Sequence, residues 1–192
     1  MDRRRILAEA PVSARARAPA PALLQSLAPV AGPATRLLVL GSFPGVASLA
    51  AQQYYAHPRN HFWAILAALW GVDLPTLPYA ARLAALRRHG LGLWDVHARC
   101  RREGSLDSAI EDAEPNDIAA LARRLPRLEA IVHNGAESAR AMRVTRAIGV
   151  PVYRLPSTSP ANASWSFARK LAAWRAVFAA HGLAATDETA AR

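Results

Sequence analysis

Apolar residues gather along this chain in short blocks separated by longer stretches of mixed character. Leu37-Leu38-Val39-Leu40 is an apolar run that stops at Gly41 and the Pro44-Gly45 pair, the form of a buried strand ending in a tight turn. Leu91 to Val96, Glu129 to Gly135 and Val150 to Leu155 read as three further strands, the last two closed by Asn134-Gly135 and by Pro156. Between these runs the spacing becomes helical. His61 to Leu66 opens one helix, Tyr79 to Gly90 forms another with Gly90 as its stop, and Asn116 to Leu125 and Ala136 to Ile148 form two more. The last helix sets Phe167, Leu171, Trp174 and Phe178 on one face. Strands alternating with helices predict an α/β domain whose parallel sheet is covered on both faces.

The ends of the chain lack such periodicity. Arg3-Arg4-Arg5 and the Ala/Pro/Arg stretch from Pro11 to Pro33 predict a flexible tail over residues 1–35, a single folded domain over 36–183 and a short flexible end over 184–192. Arginines and prolines interrupt every apolar stretch that could serve as a secretory signal, and no run reaches the roughly 18–20 apolar residues of a membrane span.

The polar positions are densest just after the first strand. Residues 41–63, GSFPGVASLAAQQYYAHPRNHFW, join a glycine-rich turn to a cluster of Tyr, His, Arg and Asn, which is the makeup of a site rather than a core. In open α/β sheets ligands bind outside the carboxyl ends of the strands, where this cluster falls. Asn60 is placed to cap the helix that begins at His61.

Composition sharpens this picture. The 24 basic and 14 acidic residues give a net charge of +10, which favours a polyanionic partner such as nucleic acid. Lys170 is the single lysine, so arginine carries the rest of the basic charge, and the abundance of arginine and alanine also fits a GC-rich coding bias. Cys100 is the single cysteine, which excludes an internal disulfide and a four-cysteine iron-sulfur cluster, and suits a reducing cytoplasm. No set of His, Cys, Asp and Glu has metal-ligand spacing.

The GSFPG and YYAHPRNHFW segments resemble the first motif of the uracil-DNA glycosylase superfamily, and most closely its hypoxanthine-DNA (deoxyinosine) glycosylase branch. A sister branch carries GINPG followed by HPAN-x-FW. Leu155-Pro156-Ser157-Thr158-Ser159-Pro160-Ala161-Asn162 resembles the second superfamily motif, HPSPLS or NPSGLS, with Leu155 in place of its polar first residue. The resemblance implies a three-layer α/β/α fold with a central, mostly parallel four-stranded sheet. It also implies a monofunctional glycosylase that needs no metal or cofactor and acts on double-stranded DNA containing a deaminated base. That base is hypoxanthine first, then uracil or xanthine. The protein would be a monomer, working at the nucleoid in the bacterial cytoplasm.

The residues carry these roles unequally. An enzyme that acts on a base in duplex DNA extrudes it into a pocket and holds it by stacking and by hydrogen bonds to its edge. Tyr55 matches the stacking aromatic of the family, and its other reading is a half-buried tyrosine closing the loop. The strand-end position that carries Asp or Asn in other branches is Phe43, which cannot activate water. In the deoxyinosine branch the asparagine of HPRN is implicated instead, and it maps to Asn60, whose amide can accept from and donate to a water. His57 is a catalytic candidate or a brace for the loop. Gly41, Ser42, Phe43, Asp95 and Asn134 form the candidate base-binding set. Asp95 has a structural alternative in a bond to Arg102 or Ser105, and Asn134 has one in capping its turn. Arg59, Ser157, Thr158, Ser159 and Asn162 are candidate DNA contacts, the second-motif loop entering the minor groove. Two rivals remain, a non-catalytic DNA-binding module favoured by Phe43, and a small nucleotide-handling α/β enzyme using Gly41 to Gly45.

Overall fold

The structure is a computed structural model and describes residues 21–184. Four strands, β2 (Leu37–Gly41), β3 (Leu91–Asp95), β6 (Ala130–Asn134) and β7 (Val152–Leu155), form one parallel sheet in the order β3-β2-β6-β7. They are the four apolar runs of the sequence, and a short helix, α1 (Val46–Ala51), follows the turn after β2. Alternate side chains of β2 enter two different cores, as the two-residue period of a strand requires. Leu37 and Val39 pack with α2 (Phe62–Trp70), α3 (Tyr79–Arg88) and α6 (Phe167–Ala180), around Phe62, Leu86, Trp174 and Phe178. Leu38 and Leu40 pack on the opposite face with Ile118 and Leu121 of α4 (Ile118–Ala122), and Ala141 and Ile148 flank α5 (Met142–Arg146) there. The result is the expected three-layer α/β/α arrangement.

Gly90 is in the left-handed region at φ +67° and ends α3 as foreseen. The two middle helices are shorter than predicted. Residues 136–148 hold a 3-10 turn at Ser138–Ala141 followed by α5, and the helix predicted from Asn116 to Leu125 reduces to α4.

A second, three-stranded antiparallel sheet was not foreseen. It consists of β1 (Leu23–Gln25), β4 (His97–Arg101) and β5 (Glu111–Pro115), in the order β1-β4-β5. Part of the predicted tail is therefore structured. β1 pairs with β4, and Val30 exchanges backbone hydrogen bonds of 2.9 and 2.8 Å with Leu93 at the free edge of β3. Residues 21–35 bind as an edge, where backbone pairing does the work and side-chain periodicity is not needed. Residues 1–20 and 185–192, the remainder of the predicted ends, lie outside the described residues. Among the described residues no helix is long and apolar enough to cross a membrane.

Candidate active site at the strand ends

The carboxyl ends of β2, β3, β6 and β7 open onto one cavity of about 800 Å³. Its walls include Gly41, Phe43, Tyr55, His57, Asn60, Asp95, Asn134 and residues 154–162, so the separate sequence motifs meet in one place.

The β2–β3 wall begins where Gly41 stands beside Asp95 in the parallel register. A Cβ on Gly41 would lie 2.4 Å from Asp95 Oδ1, so only glycine fits under this carboxyl. Asp95 is 4% exposed, and Ser26 donates to its Oδ2 at 3.1 Å. Burial pushes the carboxyl up to about 7, Asp107 adds to the shift, and the Ser26 bond and the Arg102 charge oppose it. Neither structural partner foreseen for Asp95 bonds to it. Ser105 Oγ accepts from the Val46 N–H at 2.9 Å, and Arg102 Nη2 donates to the Pro44 carbonyl. Arg102 is itself buried, 5.1 Å over the Phe43 ring, with Nε and Nη1 lacking hydrogen-bond partners. Ser42 Oγ donates to Asp107 Oδ1 at 2.6 Å.

The aromatic loop is held in a conformation it would not choose alone. Tyr55 has φ +55°, an uncommon state for a bulky residue. Its flanking peptides are strapped by three side chains. Tyr79 Oη accepts from the Tyr54 N–H at 3.0 Å, Trp63 Nε1 donates to the Tyr54 carbonyl at 3.1 Å, and Ser48 Oγ accepts from the Ala56 N–H at 3.2 Å. The Tyr55 ring stacks on Phe62 with centroids 3.9 Å apart. Burial, then the charge of Asp95, raises both the Tyr54 and Tyr55 hydroxyls, which stay protonated.

The HPRN turn follows. His57 Nδ1 accepts from the Arg59 N–H at 3.1 Å, and the His57 carbonyl accepts from the Asn60 N–H at 2.8 Å. Asn60 lies one residue before the N-cap of α2, which is His61. Its Oδ1 accepts from the Phe62 N–H at 3.0 Å, so it satisfies a free donor of the first turn from just outside the expected cap position, and the bond orients its amide. Arg59 is exposed beside it.

The opposite wall is built around Asn134. Its Oδ1 accepts from the Thr158 N–H at 2.9 Å, and its Nδ2 donates to Thr158 Oγ1 at 2.9 Å and to Tyr55 Oη at 3.2 Å. Both amide protons are thereby spent on the scaffold, clamping the second-motif loop and Tyr55 and not capping the Asn134-Gly135 turn as the structural alternative had it. Thr158 is fully buried, so its hydroxyl faces Asn134 and not a phosphate. Its candidacy as a DNA contact gives way to that of a loop anchor, because a short β-branched side chain under the loop cannot reach solvent. The Asn162 amide donates to the Ser157 carbonyl at 3.0 Å, within the same loop. From below, Trp174 Nε1 donates to the Pro156 carbonyl at 3.1 Å, Lys170 Nζ to the Ser159 carbonyl at 3.4 Å, and the His61 N–H to the Thr158 carbonyl at 3.0 Å. Ser157 and Ser159 remain at the cavity rim. Leu155 is buried in the core, as its loss of polarity implies. Among the described residues, no group of three or more His, Cys, Asp or Glu could hold a metal ion.

The model of the uracil DNA glycosylase superfamily matches residues 29–178, most of the chain and all of the cavity wall. The chain belongs to this superfamily. It is 41% identical, over 138 residues, to a hypoxanthine DNA glycosylase of Methanosarcina barkeri (strain Fusaro / DSM 804), covering 72% of this chain and 87% of that one. It is 39% identical over 144 residues to a hypoxanthine DNA glycosylase of Methanosarcina acetivorans, covering 75% and 90%. The solution NMR structure of a candidate uracil DNA glycosylase from Methanosarcina acetivorans superposes with a TM-score of 0.76 at 35% identity, over 84% of this chain and 99% of that one.

Within this superfamily site, sequence reasoning passed over Ser26, Asp107 and Trp165. Trp165 lines the cavity with the Arg169 guanidinium 4.3 Å from its ring centroid. Asp107 could have been found from its place in the polar loop after β4. Ser26 carried no local signal, since it lies 69 residues from Asp95 in a segment that reads as tail.

Proposed function

We propose that this protein is a monofunctional DNA glycosylase that hydrolyses the N-glycosidic bond of hypoxanthine in duplex DNA and leaves an abasic site. The observation that carries the reading is the orientation of Asn60 at the mouth of the strand-end cavity. One lone pair of Oδ1 is committed to the Phe62 N–H, which leaves the second lone pair and the Nδ2 protons for a water. Held there, the water meets C1′ of the sugar as the base departs. Positioning of this kind suits an oxocarbenium-like transition state, which asks little of the nucleophile, and so tolerates Phe43 where a carboxylate could have stood.

The extruded base lies against Tyr55, whose other face is backed by Phe62, with its edge towards Gly41, Ser42 and Asp95. A cavity of about 800 Å³ accommodates a purine with its sugar. Arg59 and the rim hydroxyls of Ser157 and Ser159 contact the phosphates, and the net charge of +10 favours the duplex generally. Lys170 is 1% exposed, so its amine cannot reach the sugar to cleave the strand. The protein acts as a monomer.

The test is a panel of duplexes carrying a single hypoxanthine, uracil or xanthine, incubated with the protein in EDTA. Hypoxanthine should be released fastest and the strand left intact until alkali is added. Release of none of the three bases would reject the enzyme reading, and activity lost in EDTA would reject its metal-free chemistry.

A further inference from the structure

Asp95 stands apart from the other polar residues of the cavity. Asn60, Asn134, Thr158 and Ser42 have hydrogen-bond partners that define their orientation. Asp95 is a buried carboxyl to which Ser26 donates at Oδ2 and beside which the Tyr54 hydroxyl lies, while Oδ1 projects over Gly41 at the cavity wall. A Cβ on Gly41 would also lie 3.7 Å from Tyr55 Oη, so this corner brings the carboxyl and the stacking ring together over one glycine. A carboxylate in such a place lacks the partners that make burial of charge tolerable.

Resting on the reading of the cavity as a hypoxanthine site, we propose that Asp95 is a catalytic acid, its neutral carboxyl donating a proton to the N7–O6 edge of the base as the glycosidic bond breaks. The C1′–N9 bond breaks with its electron pair passing to the purine. The Asp95 proton moves to N7, and hypoxanthine leaves as a neutral tautomer. The water placed by Asn60 adds its oxygen to C1′, and its released proton returns the Asp95 carboxylate to the acid through solvent. The net change is one water consumed, one abasic sugar and one free base formed. A general acid is of most use to an enzyme whose water is weakly activated, as here with Phe43 in the motif. A carboxylic acid kept neutral near pH 7 by an apolar site has the same use in other enzymes.

The charged and titratable neighbours decide when the acid is available. The Ser26 hydroxyl from the segment after β1, Arg102 behind Phe43 and the Tyr54 hydroxyl favour the carboxylate, whereas burial and Asp107 favour the acid. The Tyr54 hydroxyl lies beside the carboxyl, with its own contacts at the carbonyls of Leu27 and Ala28, 3.3 and 3.2 Å away. Tyr55, raised by burial and by Asp95, remains neutral through this range. The balance places the titration near 7, so activity should be full below that pH and fall as pH rises through it.

The experiment is the pH dependence of single-turnover hypoxanthine release from a deoxyinosine duplex, read from pH 5.5 to 9 for wild type, Asp95→Asn and Ser26→Ala. Wild type should lose rate in proportion to hydroxide above about pH 7. Asp95→Asn should be slower by on the order of 10²-fold at pH 6 and should lose the alkaline limb, since its amide can hydrogen-bond but not protonate the base. Ser26→Ala, which removes a bond that stabilises the carboxylate, should move the limb to higher pH. An Asp95→Asn protein with wild-type rate and an unchanged limb would overturn the proposal. If Asp95→Asn fails to fold, a Ser26→Ala limb that stays in place overturns it equally. Wild-type protein that releases no hypoxanthine at any pH would instead reject the substrate reading on which the proposal rests.

Discussion

The two walls of the cavity are built on opposite principles. On the β6–β7 side most buried polar groups have a partner, with His61 Nδ1, beside the second-motif loop, the exception. Asn134 is bonded to Thr158 and Tyr55, Trp174 to Pro156, and His133 uses both ring nitrogens, on Ser138 at 2.8 Å and Thr145 at 2.9 Å. On the β2–β3 side the buried Asp95 has only hydroxyls for company, Ser26 at Oδ2 and Tyr54 alongside, and Arg102 has two nitrogens without a partner. Buried polar groups are costly when unpartnered, so a saturated wall is a scaffold, whereas an under-satisfied wall is where a ligand or a reaction supplies what the protein withholds.

The sharpest way to break this contrast is at the saturated wall. Asn134→Ala removes three hydrogen bonds and leaves Thr158 buried without its partner. It should cost about 3 kcal/mol of stability in urea unfolding. A loss under about 1 kcal/mol would show that the network is not what holds the second-motif loop.

Sequence reasoning saw the two walls unequally. The four parallel strands announce themselves because strands buried on both faces must be continuously apolar, and Gly41, Asn134-Gly135 and Pro156 mark their ends. The ribbon of β1, β4 and β5 is invisible to that test. HARCR and EDAEP are mostly polar, and their pairing rests on backbone bonds and on exposed contacts such as Arg99 with Glu114 at 2.5 Å and Arg101 with Asp112 at 3.4 Å. The site residues in local motifs, Tyr55 to Asn60 and Ser157 to Asn162, could be read as one cluster each. The partner of Asp95 could not, because Ser26 reaches it only through the pairing of β1 with β4. The roles of Asn134 and Thr158 were also beyond reach, since polar type and position alone do not tell a clamp from a ligand contact.

A medium-sized effect should appear in stability against pH. Burial raises Asp95 in the fold from 3.8 to about 7, so the stability its acid form supports is full below pH 4 and is lost as pH rises through 7. His133 runs the other way. Burial lowers it from 6.5 to about 4, so its contribution is full above 6.5 and is lost as pH falls. Between roughly pH 4 and 6.5 the two slopes oppose each other. Asp95→Asn should expose the His133 slope, with stability falling by about 2 kcal/mol from pH 6.5 to 4.5 where wild type stays nearly level. Parallel curves for the two proteins would mean that Asp95 titrates as an ordinary carboxyl.

The smallest effect is predicted at Arg102. An Arg102→Met substitution keeps the packing on Phe43 and removes two unpartnered donors along with one bond to the Pro44 carbonyl, so gain and loss offset and thermal stability should change by less than about 1 kcal/mol. A loss of 3 kcal/mol or more would place Arg102 with the saturated wall instead.

The proposed chemistry turns on Asn60 as the residue that places water. Its most direct test is free hypoxanthine measured under single turnover from a deoxyinosine duplex, with wild type and Asn60→Ala side by side and duplex affinity measured on both. Wild type should release stoichiometric base, and Asn60→Ala should be slower by on the order of 10²-fold at nearly unchanged affinity, with only the loss of a helix cap, about 1 kcal/mol, in stability. A folded Asn60→Ala protein that releases hypoxanthine at close to the wild-type rate would contradict the account and leave Asn60 as a cap alone.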